Sequence, residues 1–243
     1  MALACKPSLS PAHGRAGRAS AAAPRPGPRP GLLRRASTTA AAAAGSPVPM
    51  PRWESIFGAL TLKHGLTASV TPAEAARLVA RGSHVLIDVR PPAAAAAASP
   101  AGAVSVPLYI PYSPAAGGGP GAFMKAALLT LNGVSPTVQN RDFVTAVVSA
   151  AGGGAGGGGK AVLVVCETGG SLVPTPQFAA GKPSRSLQAA FRLLEDGRVK
   201  GVGHVQGGVF AWDAAGLPID GEYDGADAGR TNGVVQGQGK KLK

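Results

Sequence analysis

The sequence predicts an α/β domain built on a parallel sheet that is flanked by helices. Four short apolar runs follow one another at wide intervals: residues 84–89, 103–106, 161–165 and 202–205. The first and third are almost continuously hydrophobic and rich in β-branched side chains, which is typical of strands buried on both faces of a parallel sheet. Helical stretches lie between the runs, and residues 186–196 are amphipathic. This alternation indicates a layered α/β architecture.

Capping residues place the helices. Thr71 is followed by Pro72 and stands three residues before Glu74, a capping-box pattern that starts a helix, and Gly82 is positioned to end it. A second helix is expected over residues 141–150. A short helical lead-in is expected from residue 52.

Composition divides the 243 residues into four parts. We expect a disordered targeting segment over residues 1–45, the lead-in over 46–65, the α/β domain over 66–220 and a disordered, glycine-rich tail over 221–243. Glycine-rich loops interrupt the domain near residues 114–121 and 151–159, because runs of glycine have no side chains to bury.

The first part has the composition of an organelle-targeting segment. Residues 1–50 contain seven Lys and Arg and no Asp or Glu. They lack the apolar core of a secretory signal, and their prolines would break a mitochondrial-type amphipathic helix. We therefore expect a plastid transit peptide and a chloroplast location, in the stroma or at the thylakoid surface. A disordered basic tail and mitochondrial import are the alternatives.

The formal net charge of +12 belongs mostly to this leader. Beyond residue 50 there are 17 basic and 12 acidic residues, with no basic stripe interleaved with aromatic residues, so a nucleic-acid partner is not expected. No apolar stretch is long enough to span a membrane. Residues 123–131 could make peripheral contact with a membrane surface, although a buried helix is the more ordinary interpretation.

Cys166 follows the apolar run 161–165 and precedes a glycine-containing loop that leads into a helix. Reactive sites in parallel sheets lie beyond the carboxyl ends of strands. The start of a helix presents unpaired N–H groups that stabilise a thiolate or a persulfide anion. A buried structural cysteine fits the same local pattern equally well.

The cysteine count restricts the chemistry further. Cys5 would leave with the leader, so the mature chain would hold Cys166 alone. An internal disulfide and a cysteine-based zinc site are then excluded. The four histidines form no cluster in the sequence, so neither a metal nor a cofactor is expected.

Five separated motifs resemble a rhodanese domain. They are LIDVR at residues 86–90, AGAVSVPL at 101–108, SRSLQAAFRLL at 184–194, GHVQGGVFAW at 203–212 and GLP at 216–218. The resemblance covers most of residues 70–219 and implies the three-layer rhodanese-like fold, a parallel sheet flanked by helices.

The resemblance also implies sulfur transfer. Cys166 would take sulfane sulfur from thiosulfate or a persulfide donor, and would pass it to a small thiol or to a protein thiol. The anion-stabilising loop would comprise Thr168, Gly169, Gly170, Arg185 and Ser186. Asp88 and Arg90 would brace that loop from beneath, although a structural ion pair or strand-end capping explains them equally well.

The loop over residues 166–185 departs from the family pattern. The arginine usually follows the cysteine by five residues, whereas Arg185 follows Cys166 by nineteen. The insertion could disturb the ring of N–H groups around the sulfur. Glu167 would add a negative charge beside a persulfide, which Lys182 or Arg185 could offset. Position 172 is Leu172, which argues against a cysteine phosphatase, because that chemistry needs an arginine there.

Two further functions therefore remain open. One is a catalytically weak or inactive rhodanese-like module that binds a partner protein through the long loop. The other, weaker in its support, is a redox sensor in which Cys166 forms an intermolecular disulfide or a glutathione adduct.

Overall fold

The computed structural model describes residues 49–66, 69–113, 120–131, 136–153 and 159–225. The predicted leader and residues 226–243 of the predicted tail lie outside the described residues. So do residues 114–119 and 154–158, which make up most of the two predicted glycine-rich loops.

A four-stranded parallel sheet lies at the centre of the domain. The strands of the molecule are β1 His84–Asp88, β2 Ala98–Pro100, β3 Val104–Ser105, β4 Tyr109–Pro111, β5 Thr137–Gln139, β6 Ala161–Val165, β7 Val202–His204 and β8 Ile219–Gly221. The central sheet has the order β3-β1-β6-β7, and all its pairings are parallel. The prediction of a parallel sheet from four apolar runs is confirmed.

Seven α-helices connect these strands within the described ranges. They are α1 Trp53–Gly58, α2 Pro72–Ala80, α3 Pro92–Ala97, α4 Pro120–Leu131, α5 Phe143–Ala150, α6 Arg185–Asp196 and α7 Gly208–Ala214. A π-helical turn, Ala59–Lys63, continues α1. The Thr71 hydroxyl accepts the N–H of Glu74 over 3.3 Å at the start of α2, as the capping pattern predicts.

The sheet separates two hydrophobic cores, which gives the three-layer arrangement. Successive side chains of a strand point to opposite faces. Accordingly, Ile87 belongs to a core shared with α5 and α6, whereas the neighbouring Leu86 belongs to a core shared with α2 and α7. Ile56 and Leu60 are buried in the first core, so the lead-in packs against the domain.

The ordered domain extends past residue 220, where composition placed its end. Strand β8 pairs antiparallel with β2, with Gly221 opposite Ala98. The N–H of Glu222 donates to the carbonyl oxygen of Ala97 over 3.2 Å. Tyr223 packs against the second core. A strand of three residues is too short to show an alternating pattern in the sequence. The predicted end of the domain at residue 220 therefore fell inside β8.

Helix α4 contains the apolar segment 123–131, and the expectation of a buried helix fails for much of it. Met124 is 71% exposed and Leu131 is 85% exposed, whereas Ala126 is buried. The interpretation rested on segment length, which does not reveal whether a neighbouring element covers the helix. In the described ranges, the helices are too short or too polar to cross a membrane.

Candidate functional site

Cys166 lies at the carboxyl edge of the parallel sheet, directly after β6. Its sulfur lies 3.1 Å from the hydroxyl oxygen of Ser186, in the first turn of α6. The cysteine is 1% exposed and forms part of the first hydrophobic core. The structure thus joins the two ends of the long loop at the sulfur, and it also encloses that sulfur.

The insertion reaches this arrangement by closing on itself. Ser171 and Lys182 pair through two backbone hydrogen bonds of 3.0 and 2.8 Å, and Thr175 pairs with Phe178 further out. Residues 171–182 therefore form a hairpin-like excursion with a closed base. The residues before and after it stand together at the cysteine, although twenty positions separate Cys166 from Ser186.

The lead-in holds the excursion against the domain. The indole N–H of Trp53 donates to the carbonyl oxygens of Ala180 and Gly181, over 2.8 and 3.2 Å. Leu172 is buried in the same core as Cys166. The tip is open to solvent, with Val173 66% exposed. One side of the excursion is thus anchored, while its tip projects outward.

Two consecutive glycines shape the loop after the cysteine. Gly169 and Gly170 have φ angles of +70° and +67°, a backbone conformation that side chains disfavour. A Cβ atom on Gly169 would lie 2.5 Å from the backbone nitrogen of Gly207, and one on Gly170 would lie 2.7 Å from Cβ of Ser184. The N–H of Gly170 donates to the carbonyl oxygen of Thr168 over 2.8 Å. Glycine is therefore required at both positions by conformation and by space.

Polar side chains converge on the carbonyl oxygen of Gly169. Ser184 Oγ donates to this oxygen over 2.8 Å, and Ser186 Oγ lies 3.4 Å from it. His204 Nε2 forms a short hydrogen bond to the same atom, and its Nδ1 lies 2.8 Å from Ser69 Oγ. Because a carbonyl oxygen only accepts, the ring hydrogen is on Nε2, and Nδ1 accepts from Ser69.

His204 is neutral at physiological pH. The side chain is fully buried, and burial lowers its pKa from 6.5 to about 4, against a smaller opposing effect of the hydrogen bond to Gly169. A buried imidazole without a carboxylate partner favours its uncharged form. The histidine therefore acts on the loop as a neutral donor.

A buried ionic network contacts the loop through Glu167. Arg90 makes hydrogen bonds of 2.8 to 3.1 Å to both carboxylate oxygens of Asp88 and one of 3.0 Å to Glu167. Ser99 donates to Asp88 over 2.9 Å, and the Tyr223 hydroxyl donates to the second oxygen of Glu167. All three charged residues are buried. The ion pair of Asp88 and Arg90 is thus present, and Arg90 also links the end of β1 to the residue after Cys166.

Burial and the neighbouring carboxylates together shift the pKa values of two groups in this network. Burial lowers the pKa of Arg90, but the hydrogen bonds and charges of Asp88 and Glu167 outweigh it, so the pKa is raised. Burial, followed by the hydrogen bond to Glu167, raises the pKa of Tyr223. The guanidinium stays charged and the phenol stays protonated, so each remains a donor to Glu167.

The partners of Glu167 differ from those expected from the sequence. Lys182 or Arg185 was expected to offset its charge, but Arg90 and Tyr223 contact the carboxylate. The expectation relied on nearness in sequence, whereas the sheet brings the end of β1 beside the end of β6. Lys182 is exposed, in the base of the excursion.

Arg185 occupies the first turn of α6, and its charge acts on Tyr109. Burial raises the pKa of that phenol, and the charges of Arg192 and Arg185 partly oppose the effect. The predicted loop residues therefore do not all meet at the sulfur. Cys166, Gly169 and Ser186 form one hydrogen-bonded cluster, whereas the charge of Arg185 acts on the Tyr109 phenol in β4.

Sequence reasoning missed Ser184, Tyr223 and the loop contact of His204. Ser184 caps α6 by accepting the N–H of Leu187 over 3.2 Å, and a serine three residues before an apolar helical position was a usable signal. His204 lies in the apolar run 202–205, and nothing in that run indicates a contact with the loop after Cys166. Nothing in the sequence near residue 223 indicates that its side chain reaches Glu167.

Comparison with known proteins supports the resemblance. The chain is 32% identical over 152 residues to rhodanese-like domain-containing protein 14, chloroplastic, of Arabidopsis thaliana. The match covers 63% of this chain and 64% of the relative, so the chain spans somewhat less than two thirds of that protein's length. No protein-family model matches the chain.

Solved structures give more distant similarities. A thiosulfate sulfurtransferase from Pseudomonas aeruginosa is 20% identical with a TM-score of 0.39, covering 70% of this chain and 23% of that one. The rhodanese-like domain of an Anabaena protein is 15% identical with a TM-score of 0.31, covering 63% and 79%. The resemblance to rhodanese domains is therefore supported by the sheet order and by the sequence match, and not by these structures.

The parallel sheet flanked by helices, with a cysteine directly after β6, and the sequence match together fit a rhodanese-like protein. The name of the curated relative marks that protein as chloroplastic.

Proposed function

We propose that the protein transfers sulfur through a persulfide on Cys166. The observation that carries this proposal is the 3.1 Å contact between Cys166 Sγ and Ser186 Oγ, which the closed base of the excursion makes possible. A hydroxyl at this distance can donate to a thiolate or to a persulfide anion. The rhodanese-like domain supports a sulfurtransferase-type reaction in general.

The proposed reaction needs no external oxidant. The Cys166 thiol first releases its proton to solvent. The thiolate then attacks the sulfane sulfur of thiosulfate, forming a sulfur–sulfur bond while the original sulfur–sulfur bond breaks and sulfite leaves. In the second half, an acceptor thiolate attacks the outer sulfur, so that the acceptor leaves as a persulfide and the Cys166 thiolate is restored. A low-molecular-weight persulfide could replace thiosulfate as the donor.

Mass spectrometry of the intact protein tests this proposal. The chain lacking its leader is incubated with thiosulfate or with glutathione persulfide, and its mass is compared with that of Cys166→Ser. We expect a gain of one sulfur, about 32 Da, which a thiol or cyanide removes and which the variant lacks. Absence of the gain with both donors would refute sulfur transfer.

Burial of the cysteine favours a second candidate, a partner-binding module. Cys166 is 1% exposed, and residues 173–177 at the tip of the excursion are exposed. A protein that used only the projecting tip would not need an accessible sulfur. Capture of a plastid protein that is lost when the tip is replaced by Gly and Ser, and retained in Cys166→Ser, would support this candidate over the first.

We further propose that the protein resides in the chloroplast. The acid-free, basic leader supports this location, and the curated relative is named as chloroplastic. Import of the full chain into isolated plastids should remove about 40 residues. A chain that enters unprocessed, or that enters isolated mitochondria instead, would contradict this location.

A further inference from the structure

The carbonyl oxygen of Gly169 is the junction of the polar cluster at Cys166. It receives the short hydrogen bond from His204 and the 2.8 Å bond from Ser184. A carbonyl oxygen has two lone pairs. These two donors therefore use its full capacity, and Ser186 lies further away at 3.4 Å.

The hydrogens of the two serines can be assigned from this arrangement. Ser184 accepts the N–H of Leu187 as the cap of α6, and its single hydrogen points to Gly169. Ser186 has the sulfur of Cys166 and the oxygen of Ser184 as its nearest neighbours, each at 3.1 Å. Its hydrogen is thus available to whichever of these neighbours is the stronger acceptor.

We propose that Ser184 and His204 are positioning residues for Cys166. By occupying the carbonyl oxygen of Gly169, they leave the hydroxyl hydrogen of Ser186 to the anionic sulfur. In the thiol state, Cys166 donates to Ser186, and Ser186 donates to Ser184. In the thiolate or persulfide state, Ser186 reverses its hydrogen bond toward the sulfur. This inference rests on the proposed function, since it concerns the same anion.

Removal of either positioning residue would redirect Ser186. Without Ser184 or His204, the carbonyl oxygen of Gly169 lacks one donor inside a buried cluster. In the thiol state the hydroxyl of Ser186, which already lies 3.4 Å from this oxygen, would take the vacant place. To donate to the anionic sulfur, Ser186 would then have to give up this neutral hydrogen bond, which offsets about half of the charge-assisted one and so disfavours the anion.

The pH profile of Cys166 alkylation by iodoacetamide tests the proposal, because only the thiolate reacts. Ser184→Gly is the main variant, since glycine tolerates the cap position while lacking the hydroxyl. We expect the midpoint of its profile to move upward by about one pH unit, which makes alkylation about tenfold slower at pH 7. His204→Leu should behave similarly, and His204→Gln, which keeps a neutral donor, should retain most of the rate.

Ser171→Ala is the matched control, because its hydroxyl lies in the excursion and bonds only locally to Val173. It should leave the profile unchanged. Circular dichroism and the thermal midpoint identify variants that fail to fold. A folded Ser184→Gly that keeps the wild-type midpoint, while Ser186→Ala shifts it, would overturn the proposal.

The alkylation assay requires no sulfur donor, so the two proposals can fail separately. If the wild-type protein gains no sulfur but Ser184→Gly still shifts the profile, sulfur transfer is refuted while the positioning role stands. If sulfur is gained and the profile does not move, only the positioning role is overturned.

Discussion

Acidification should destabilise the protein through His204. The side chain is fully buried, and burial lowers its pKa from 6.5 to about 4. Between pH 6.5 and about 4, His204 binds a proton in the unfolded chain but not in the folded chain. Stability is therefore intact above about pH 6.5 and falls as the pH drops toward 4. At about 1.4 kcal/mol per unit of pKa difference, the loss is about 3 kcal/mol.

Urea unfolding at a series of pH values measures this loss. Asp and Glu residues also titrate near pH 4, so the wild-type chain is compared with His204→Gln, which cannot take up the proton. The free energy of unfolding of the wild-type chain should fall by about 3 kcal/mol more than that of the variant between pH 7 and 4. Parallel pH curves for the two chains would refute the assignment of a buried, neutral histidine beneath the loop.

Three further outcomes follow from the other contacts. Arg90→Met should cost about 3–5 kcal/mol in urea unfolding, because it leaves the carboxylates of Asp88 and Glu167 buried without their cation. Its control, Arg198→Met, breaks an exposed pair and should cost at most about 1 kcal/mol; equal losses would contradict the reasoning. Tyr223→Phe should cost about 1–3 kcal/mol in the same assay, and no loss would show that its hydroxyl is dispensable to the buried network. Trp53→Phe removes the donor that holds the excursion, so Cys166 should be alkylated about fivefold faster at pH 8. An unchanged rate would mean that opening of the excursion does not limit access to the sulfur.

The central sheet could be predicted from sequence because its strands are buried on both faces. Such strands need continuous apolar runs, as in residues 161–165, and the capping residues around Thr71 marked a helix boundary in the same direct way. The strands that were missed are only three residues long, and they pair antiparallel in two separate two-stranded sheets. Three residues are too few to display a period.

The position of Cys166 was also predictable, because strand-end sites follow from sheet topology. The residues around Cys166 could be predicted only in part. Ser186 followed from the family resemblance, whereas the partners of Glu167 come from distant segments, one after β1 and one after β8. Contacts of that kind depend on tertiary packing, which local sequence does not encode. The burial of the Cys166 sulfur could not be predicted from the sequence either, because it depends on how residues 171–182 fold against the domain.

The paired base of the excursion separates the length of this loop from the geometry of the site. Ser171 and Lys182 close the loop with their own backbone hydrogen bonds. The segment between these two residues can therefore change in length or sequence while Ser186 stays beside Cys166. The entropy of closing a longer loop rises only slowly with its length. Residues 173–179 are thus a suitable place to introduce a peptide, a fluorophore or a binding motif without redesign of the domain.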